Sequence, residues 1–205
     1  MSPDEPSPTS TQARTAECGH RVAVSRRSLL GVAGAAGVAL AGCLGGDGSE
    51  RPDPVTLPDD ATCDVCGMVI VQHPGPTAEV FYADRRPADH DNPARFDSTW
   101  EAFSFDFERE NWSRRAFYVT DYSAVDSTVD ESGAEPTISR HVEASSFADA
   151  TGVTFVVGSS VVGAMGRDLL AFSDSEDADA FREQYGGETA AFDEVTPSLV
   201  AALGS

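Results

Sequence analysis

The sequence predicts a mixed α+β fold made of two homologous small ββαβ units. Short segments rich in β-branched and aromatic residues alternate with two helix signals, each beginning at a Ser or Asp cap. This order of elements occurs twice, which indicates an internal duplication. Of the 205 residues, 40% are hydrophobic, which is enough for the core of one ordinary domain or two small ones.

The first unit is predicted over residues 61–125. Residues 68–72 and 78–84 have strand composition and flank the turn sequence HPGP, so we expect a hairpin. A capping signal at Asp97 and Ser98 then begins a helix. Residues spaced three and four apart should form its buried face: Trp100, Phe103 and Phe107. A strand over 116–122 completes the unit.

The second unit is predicted over residues 140–205, after an inter-unit loop over 126–139. Strands over 153–160 and 168–172 flank a Gly-rich turn, and a capped helix that ends at Gly186 follows them. One side of that helix carries Ala178, Phe181 and Tyr185. Three further elements are expected: a strand over 140–145, a strand over 189–195 and a closing helical turn over 196–203.

The net charge of the chain limits the classes of molecule that it can bind. It carries 34 acidic and 14 basic residues, for a formal net charge of −20, and every basic residue is Arg. Phosphate backbones would repel such a surface, so nucleic acid is excluded as a partner. Repulsion among so many negative charges is tolerated where a high salt concentration screens them, which predicts that the protein comes from a halophilic organism.

Residues 1–43 have the features of an export signal. Arg26 and Arg27 precede an apolar run that ends at Cys43, and this run is shorter than the about 20 residues that span a bilayer. The segment resembles a twin-arginine signal followed by a lipobox, with Cys43 as the lipidated residue. An uncleaved signal anchor is the alternative, and both place the domain on the extracytoplasmic face of the membrane. Residues 44–60 are expected to be a flexible linker.

The spacing Cys63-x-x-Cys66 allows two thiols to reach one ion or each other, and zinc, redox and disulfide sites all use it. A structural zinc site needs four ligands, and the mature chain offers no further thiol apart from the lipidated one. A thioredoxin-like site would place the pair at the start of a helix, whereas here a predicted strand follows it.

Two methionines add a more specific signal. Met68 lies two residues after Cys66, and Met165 lies in the Gly-flanked turn GAMG, where a core side chain would be poorly supported. Thioether sulfur is a soft neutral ligand that suits Cu(I). His73 is a further candidate ligand at the start of the predicted hairpin turn.

These motifs together carry a family resemblance. CDVCGMVIVQHPGPTAEV, ARFDSTWEAFSF, FYVTDY and FVVGSSVVGAMGRDLLAF resemble the NosL-type copper accessory lipoproteins of nitrous-oxide reductase, here as a haloarchaeal-type member. The likeness covers about residues 61–200. It implies a membrane-tethered copper chaperone that binds one Cu(I) and passes it to nitrous-oxide reductase or to its ABC-type maturation complex. The implied ligands are Cys66, Met68, Met165, His73 and, less firmly, Cys63.

The sequence contains no nucleophile and base pair that would indicate an enzyme, so we expect none. An extracytoplasmic thiol-disulfide oxidoreductase that uses Cys63 and Cys66 is the alternative from another class. A lipoprotein that only scaffolds a membrane complex is a third possibility, and it predicts no bound metal.

Overall fold

Strands and helices alternate along the chain in the computed structural model, which describes residues 51–83 and 90–204. The strands are β1 (Ala78–Tyr82), β2 (Ala94–Phe96), β3 (Arg114–Thr120), β4 (Val129–Asp130), β5 (Thr137–Ile138), β6 (Phe147–Asp149), β7 (Thr154–Gly163), β8 (Gly166–Phe172) and β9 (Glu188–Ala190). The α-helices are α1 (Thr99–Phe107), α2 (Ser175–Tyr185) and α3 (Pro197–Leu203). The predicted mixed α+β class is confirmed.

The first sheet has the strand order β2-β1-β3-β6, and all its neighbouring strands are antiparallel. All residues of β1 are buried, so this strand is covered on both faces. On one face Tyr82 packs against Phe105 of α1, with ring centroids 6.2 Å apart. On the opposite face Glu79 accepts a hydrogen bond from the backbone NH of Val55.

The second sheet is built around β7, the longest strand. β8 pairs with it antiparallel, β9 pairs with its first half, and the short β5 pairs with its second half and carries β4 at the edge. The register of β7 against β8 shifts between Val157 and Val162. Gly158, within this bulge, has a φ of +68°, a conformation that glycine adopts without strain.

Helix α1 joins the two sheets through a shared core. Phe103 of α1 contacts Phe117 of β3, with centroids 4.7 Å apart, and Phe155 of β7, with centroids 5.6 Å apart. A smaller cluster under α2 contains Val156, Leu170, Phe172 and Ala178. The halves therefore share the larger of two hydrophobic clusters, and the smaller one lies under α2.

The order of elements in each half is β-β-α-β: β1-β2-α1-β3, then β7-β8-α2-β9. The helix boundaries confirm the capping signals, because Ser98 caps α1 and Asp174 caps α2. The second helix ends at Gly186, as predicted, with a φ of +76°. The closing helical turn over 196–203 is present as α3. Descent of the halves from a duplication stays a prediction.

The predicted hairpin is wrong in its first strand. Residues 68–72 form one isolated bridge, between Thr62 and Val69, followed by a 3₁₀ turn over Ile70–Gln72. The partner of β1 is instead β2, whose three residues are too few to give a period-two pattern. The ββαβ order thus holds with a different strand.

Three further segments differ from the prediction. Residues 140–145 form no strand, and the next strand, β6, pairs with β3 in the first sheet although it lies in the predicted second unit. The inter-unit loop over 126–139 contains the short strands β4 and β5. At 189–195, only Glu188–Ala190 is a strand, and a 3₁₀ turn follows over Phe192–Glu194.

Residues 51–60, the described part of the predicted flexible linker, lie against the domain. Leu57 is 2% exposed, and its backbone NH donates to the carbonyl of Val142 at 2.9 Å. The hydroxyl of Tyr118 donates to the carbonyl of Pro52 at 2.7 Å. Burial of Leu57 and these hydrogen bonds explain why this acid-rich and Pro-rich segment is ordered.

The predicted twin-arginine signal, the lipidated Cys43 and the first part of the linker lie outside the described residues. Within the described ranges, no helix has the length and apolar character needed to cross a bilayer.

Candidate metal centre

The two cysteines lie in a tight loop, residues 63–68, which we call the thiol loop. The backbone NH of Cys63 donates to the carbonyl of Met68 at 2.8 Å, and the NH of Gly67 donates to the carbonyl of Cys63 at 3.0 Å. Gly67 has a φ of +74°, which lets the chain reverse over so few residues. Loop closure thus brings the thiols of Cys63 and Cys66 together without a helix.

Backbone amides of this loop point at its sulfur atoms. The NH of Val65 donates to Sγ of Cys63 at 3.5 Å, and the amides of Cys66 and Asp97 also face that sulfur. The amide of Met68 faces the sulfur of Cys66 in the same way. Such amides stabilise negative charge on sulfur, which is the form that binds a metal.

Two carboxylates complete the group from the start of α1. The Cys63 thiol donates to Oε2 of Glu101 at 3.0 Å, and the Cys66 thiol lies 3.6 Å from both carboxylate oxygens of Asp97. Asp97 precedes the Ser98 cap and Glu101 lies in the first turn of α1, so the start of this helix presents both carboxylates to the same loop. One donor atom from each of the four side chains lies within 4.8 Å of all the others.

The group is buried on three sides. Cys63, Asp97 and Glu101 are 3%, 1% and 1% exposed, whereas Cys66 is half-buried and forms the accessible edge. Burial, followed by the hydrogen bond to Glu101, raises the pKa of the Cys63 thiol. Burial also raises the pKa of Cys66, and the Asp97 carboxylate adds to this. Burial and the neighbouring Asp97 raise the pKa of Glu101 to about 7. Both thiols are therefore held protonated at neutral pH.

Asp168 of β8 fixes the start of α1 from the other half of the domain. Its carboxylate accepts hydrogen bonds from the Ser98 hydroxyl and the Trp100 backbone NH, each at 2.8 Å. The turn that precedes β8 also packs closely, since a Cβ on Gly163 would lie 2.9 Å from Cδ of Pro76. Asp168 thus ties β8 to the helix start that follows Asp97, and Gly163 at the end of β7 packs against Pro76.

The predicted site residues lie in three places. Cys63, Cys66 and the half-buried Met68 belong to the thiol loop. Met165 lies in the β7–β8 turn with 39% exposure, a high value for a methionine. His73 ends the 3₁₀ turn after the thiol loop and lines a pocket of about 310 Å³ with Arg140. His73 does not belong to the group formed by Cys63, Cys66, Asp97 and Glu101 in the described part of the chain.

Sequence reasoning missed Asp97 and Glu101 as members of this group. The sequence patterns indicate Asp97 only as part of a helix cap, and they do not single out Glu101. A signal was present, because Glu101 is an acidic residue between apolar neighbours in the predicted buried helix. An acidic residue that is fully buried requires a partner of its own.

Comparison with known proteins identifies the family. The NosL family model matches residues 54–200. The chain belongs to the NosL family. It is similar to the copper-binding lipoprotein NosL of Stutzerimonas stutzeri, with 30% identity over 149 residues that span 72% of this chain and 68% of that protein. Membership of the NosL family, stated from the motifs, is thus confirmed, and the haloarchaeal type stays a prediction.

A solved NosL structure shares the fold. The crystal structure of the copper chaperone NosL from Shewanella denitrificans superposes with a TM-score of 0.57 at 33% identity, covering 73% of this chain and 98% of that one. Both NosL relatives are named for copper binding or copper delivery, and neither name is that of an enzyme. This agrees with the prediction that the chain is not an enzyme.

Proposed function

We propose that this NosL-family chain is a membrane-anchored, extracytoplasmic Cu(I) chaperone that delivers copper for the maturation of nitrous-oxide reductase. The observation that carries the proposal is the half-buried thiol of Cys66 at the accessible edge of the thiol loop, with Met68 two residues beyond it. The names of the relatives from Stutzerimonas stutzeri and Shewanella denitrificans support copper as the cargo.

The chemistry of the donors favours the reduced ion. A thiolate from Cys66 provides most of the affinity, and the thioether of Met68 is a soft donor that prefers Cu(I). Met165 is the proposed third ligand, because its side chain is exposed on the turn before β8, the strand whose Asp168 accepts a hydrogen bond from Ser98 at the start of α1. Cys63 and His73 are further candidates.

A site with few ligands can release its cargo. Cys66 is half-buried, so a donor atom from an acceptor protein can approach the copper while Cys66 still holds it. The ion then passes through an intermediate that both proteins share. The proposed acceptor is nitrous-oxide reductase or its ABC-type maturation complex.

The proposed location follows from the leader. Export by the twin-arginine route and lipidation of Cys43 would hold the domain on the extracytoplasmic face of the membrane. We expect Cys43→Ser to move the full-length chain from the membrane fraction to the soluble fraction. Retention of this variant in the membrane would favour an uncleaved signal anchor.

The environment of the thiols argues against the oxidoreductase alternative. Catalytic cysteines of that class have lowered pKa values, often at a helix N-terminus. Here the pKa of both Cys63 and Cys66 is raised, and the two residues lie in a loop. The attacking thiolate that exchange requires would therefore be scarce at neutral pH.

Copper titration tests the proposal. The reduced full-length chain is titrated anaerobically with Cu(I) against a chromophoric chelator, alongside Cys66→Ser, Met68→Leu and Met165→Leu. We expect Cys66→Ser to abolish tight binding and each Met→Leu change to weaken it about tenfold or more. Leucine keeps the volume of methionine and removes only the sulfur, so packing is preserved.

The matched control is Val55→Leu. Val55 is an apolar residue of the segment over residues 51–60, and its side chain is 40% exposed. It should bind Cu(I) like the wild type. Unchanged affinity in both Met→Leu variants, together with thiol-disulfide reductase activity that Cys63→Ser removes, would contradict the chaperone proposal.

A further inference from the structure

The four-residue group of Cys63, Cys66, Asp97 and Glu101 contains two carboxylates, which the proposed copper site does not use. We propose that it forms a second metal site, selective for a borderline divalent cation of the Zn²⁺ type. This inference goes beyond the proposed function, because it involves two carboxylates and neither methionine, although the two sites share Cys66.

The donor positions match a tetrahedral ion. A tetrahedral Zn²⁺ with its usual bond lengths to sulfur and oxygen has neighbouring donors about 3.5 Å apart. Here the Cys63 sulfur and Glu101 oxygen are 3.0 Å apart, and the Cys66 sulfur and Asp97 oxygens are 3.6 Å apart. The whole set falls within 4.8 Å, so small side-chain rotations suffice to surround one ion.

The charge of the group also favours a divalent cation. Its members are two thiols and two carboxylates, and three of the four side chains are at most 3% exposed. Within the part of the chain that the structure describes, the side chains of these four residues hydrogen-bond to one another or accept from backbone amides. No basic side chain takes part in these hydrogen bonds, so a bound cation would supply the missing positive charge.

The backbone provides independent support for metal thiolates. Amides of Val65 and Cys66 face the sulfur of Cys63, and the amide of Met68 faces the sulfur of Cys66. An amide hydrogen bond stabilises sulfur as a thiolate, which is the ligand form. These amides would therefore stabilise the thiolates once a bound cation has displaced their protons.

Ligand hardness separates this site from the copper site. Carboxylate oxygen and thiolate together suit Zn²⁺, whereas thioether sulfur suits Cu(I). The sites share Cys66, so the two ions cannot be bound together. Binding of the divalent ion displaces the protons of the two thiols to solvent and forms two metal–sulfur bonds.

Cobalt is the probe for the test. The reduced full-length chain is titrated anaerobically with Co²⁺, followed by Zn²⁺. We expect intense visible bands of tetrahedral Co²⁺ and a sulfur-to-cobalt charge-transfer band in the near ultraviolet, both lost when Zn²⁺ displaces the cobalt. Weak octahedral bands without charge transfer, measured on the unmodified chain, would overturn the proposal.

Variants assign the ligands. Glu101→Gln and Asp97→Asn should each weaken Zn²⁺ binding by about tenfold or more, while Glu110→Gln, an exposed acidic residue just past α1, should not. Wild-type Zn²⁺ affinity in both carboxylate variants would refute the ligand set. Met68→Leu should weaken Cu(I) and leave Zn²⁺ binding unchanged, so failure of this proposal is distinguishable from failure of the copper proposal.

Discussion

The carboxylate of Asp168 accepts a 2.8 Å hydrogen bond from the hydroxyl of Ser98, the residue that caps α1. Asp168 lies in the second half of the domain and Ser98 in the first, so one buried contact aligns β8 with the helix start beside Asp97. The same carboxylate accepts a hydrogen bond from the backbone NH of Trp100.

We expect Asp168→Ala to lower the free energy of unfolding by about 3 kcal/mol, because three donors lose their buried acceptor: the Ser98 hydroxyl and the backbone NH groups of Trp100 and Leu169. Urea unfolding at fixed high salt measures the change. Glu110→Ala, at an exposed position, is the control and should be neutral. A loss equal to that of the control would show that the contact does not stabilise the domain.

The close approach at Gly163 predicts a steric effect on the β7–β8 turn. A Cβ there would lie 2.9 Å from Cδ of Pro76 and 3.2 Å from the Gly75 carbonyl, so Gly163→Ala should destabilise the domain by about 1–3 kcal/mol. Gly152→Ala is the matched control, since a Cβ at Gly152 would meet nothing within 4 Å and its φ lies outside the left-handed region. It should be neutral or slightly stabilising. Thermal unfolding of both variants decides the point, and equal melting temperatures would count against the packing argument.

Glu79 predicts a pH dependence of stability. Burial raises its pKa from 4.5 to about 8, and one carboxylate oxygen, Oε1, has no hydrogen-bond partner among the described residues. The folded state therefore binds this proton more tightly than the unfolded state does. Between pH 4.5 and about 8 the stability should fall as pH rises, by up to about 1.4 kcal/mol per pH unit from this group.

Other groups titrate in the same range, since the pKa of Asp168 is also raised, by burial, to about 7. The measurement is accordingly a difference between the wild type and Glu79→Gln in urea unfolding from pH 5 to 9. The variant should gain stability over the wild type as pH rises. Parallel curves for the two proteins would mean that Glu79 is not protonated in the folded state.

The Cys66 thiol should react slowly. Burial and the Asp97 carboxylate raise its pKa, so its alkylation at pH 7.5 should be slower than that of a free cysteine peptide. Asp97→Asn removes the nearby negative charge and should increase the rate. Mass spectrometry of the Cys66 peptide after timed iodoacetamide treatment gives the rates. Asp59→Asn, at an exposed position in the segment over residues 51–60, is the control and should not change the rates. If Cys66 of the wild type reacted as fast as the free peptide, its pKa would not be raised.

Local signals were enough to predict the helices. The Ser98 cap, the Asp174 cap and the Gly186 stop each act within a few residues of the chain, so the sequence contains all the information they need. The turn between β7 and β8 was predictable for the same reason. The prediction of a strand over 68–72 is wrong because residue composition shows only that a segment is able to form a strand. Whether it does depends on a partner strand, which is set by residues elsewhere along the chain.

The candidate metal centre was predictable only in part. The spacing of Cys63 and Cys66 showed that two thiols could lie close together, and the thiol loop places both sulfur atoms within 4.8 Å of each other as free thiols. The carboxylate of Asp97 reaches Cys66 across a sequence separation of 31, and that of Glu101 reaches Cys63 across 38. Neither contact follows from spacing, because each depends on where α1 packs against the loop.

The ordered segment over residues 51–57 limits how far the domain could travel from a lipid on Cys43. Arg51 is already paired with Asp149 on the domain, so with the proposed anchor only residues 44–50 could extend, a reach of at most about 25 Å. A free stretch to residue 60 would have reached more than about 55 Å by the same measure. With the proposed anchor, this short tether would keep the domain close to the membrane, so a copper acceptor would have to approach it there.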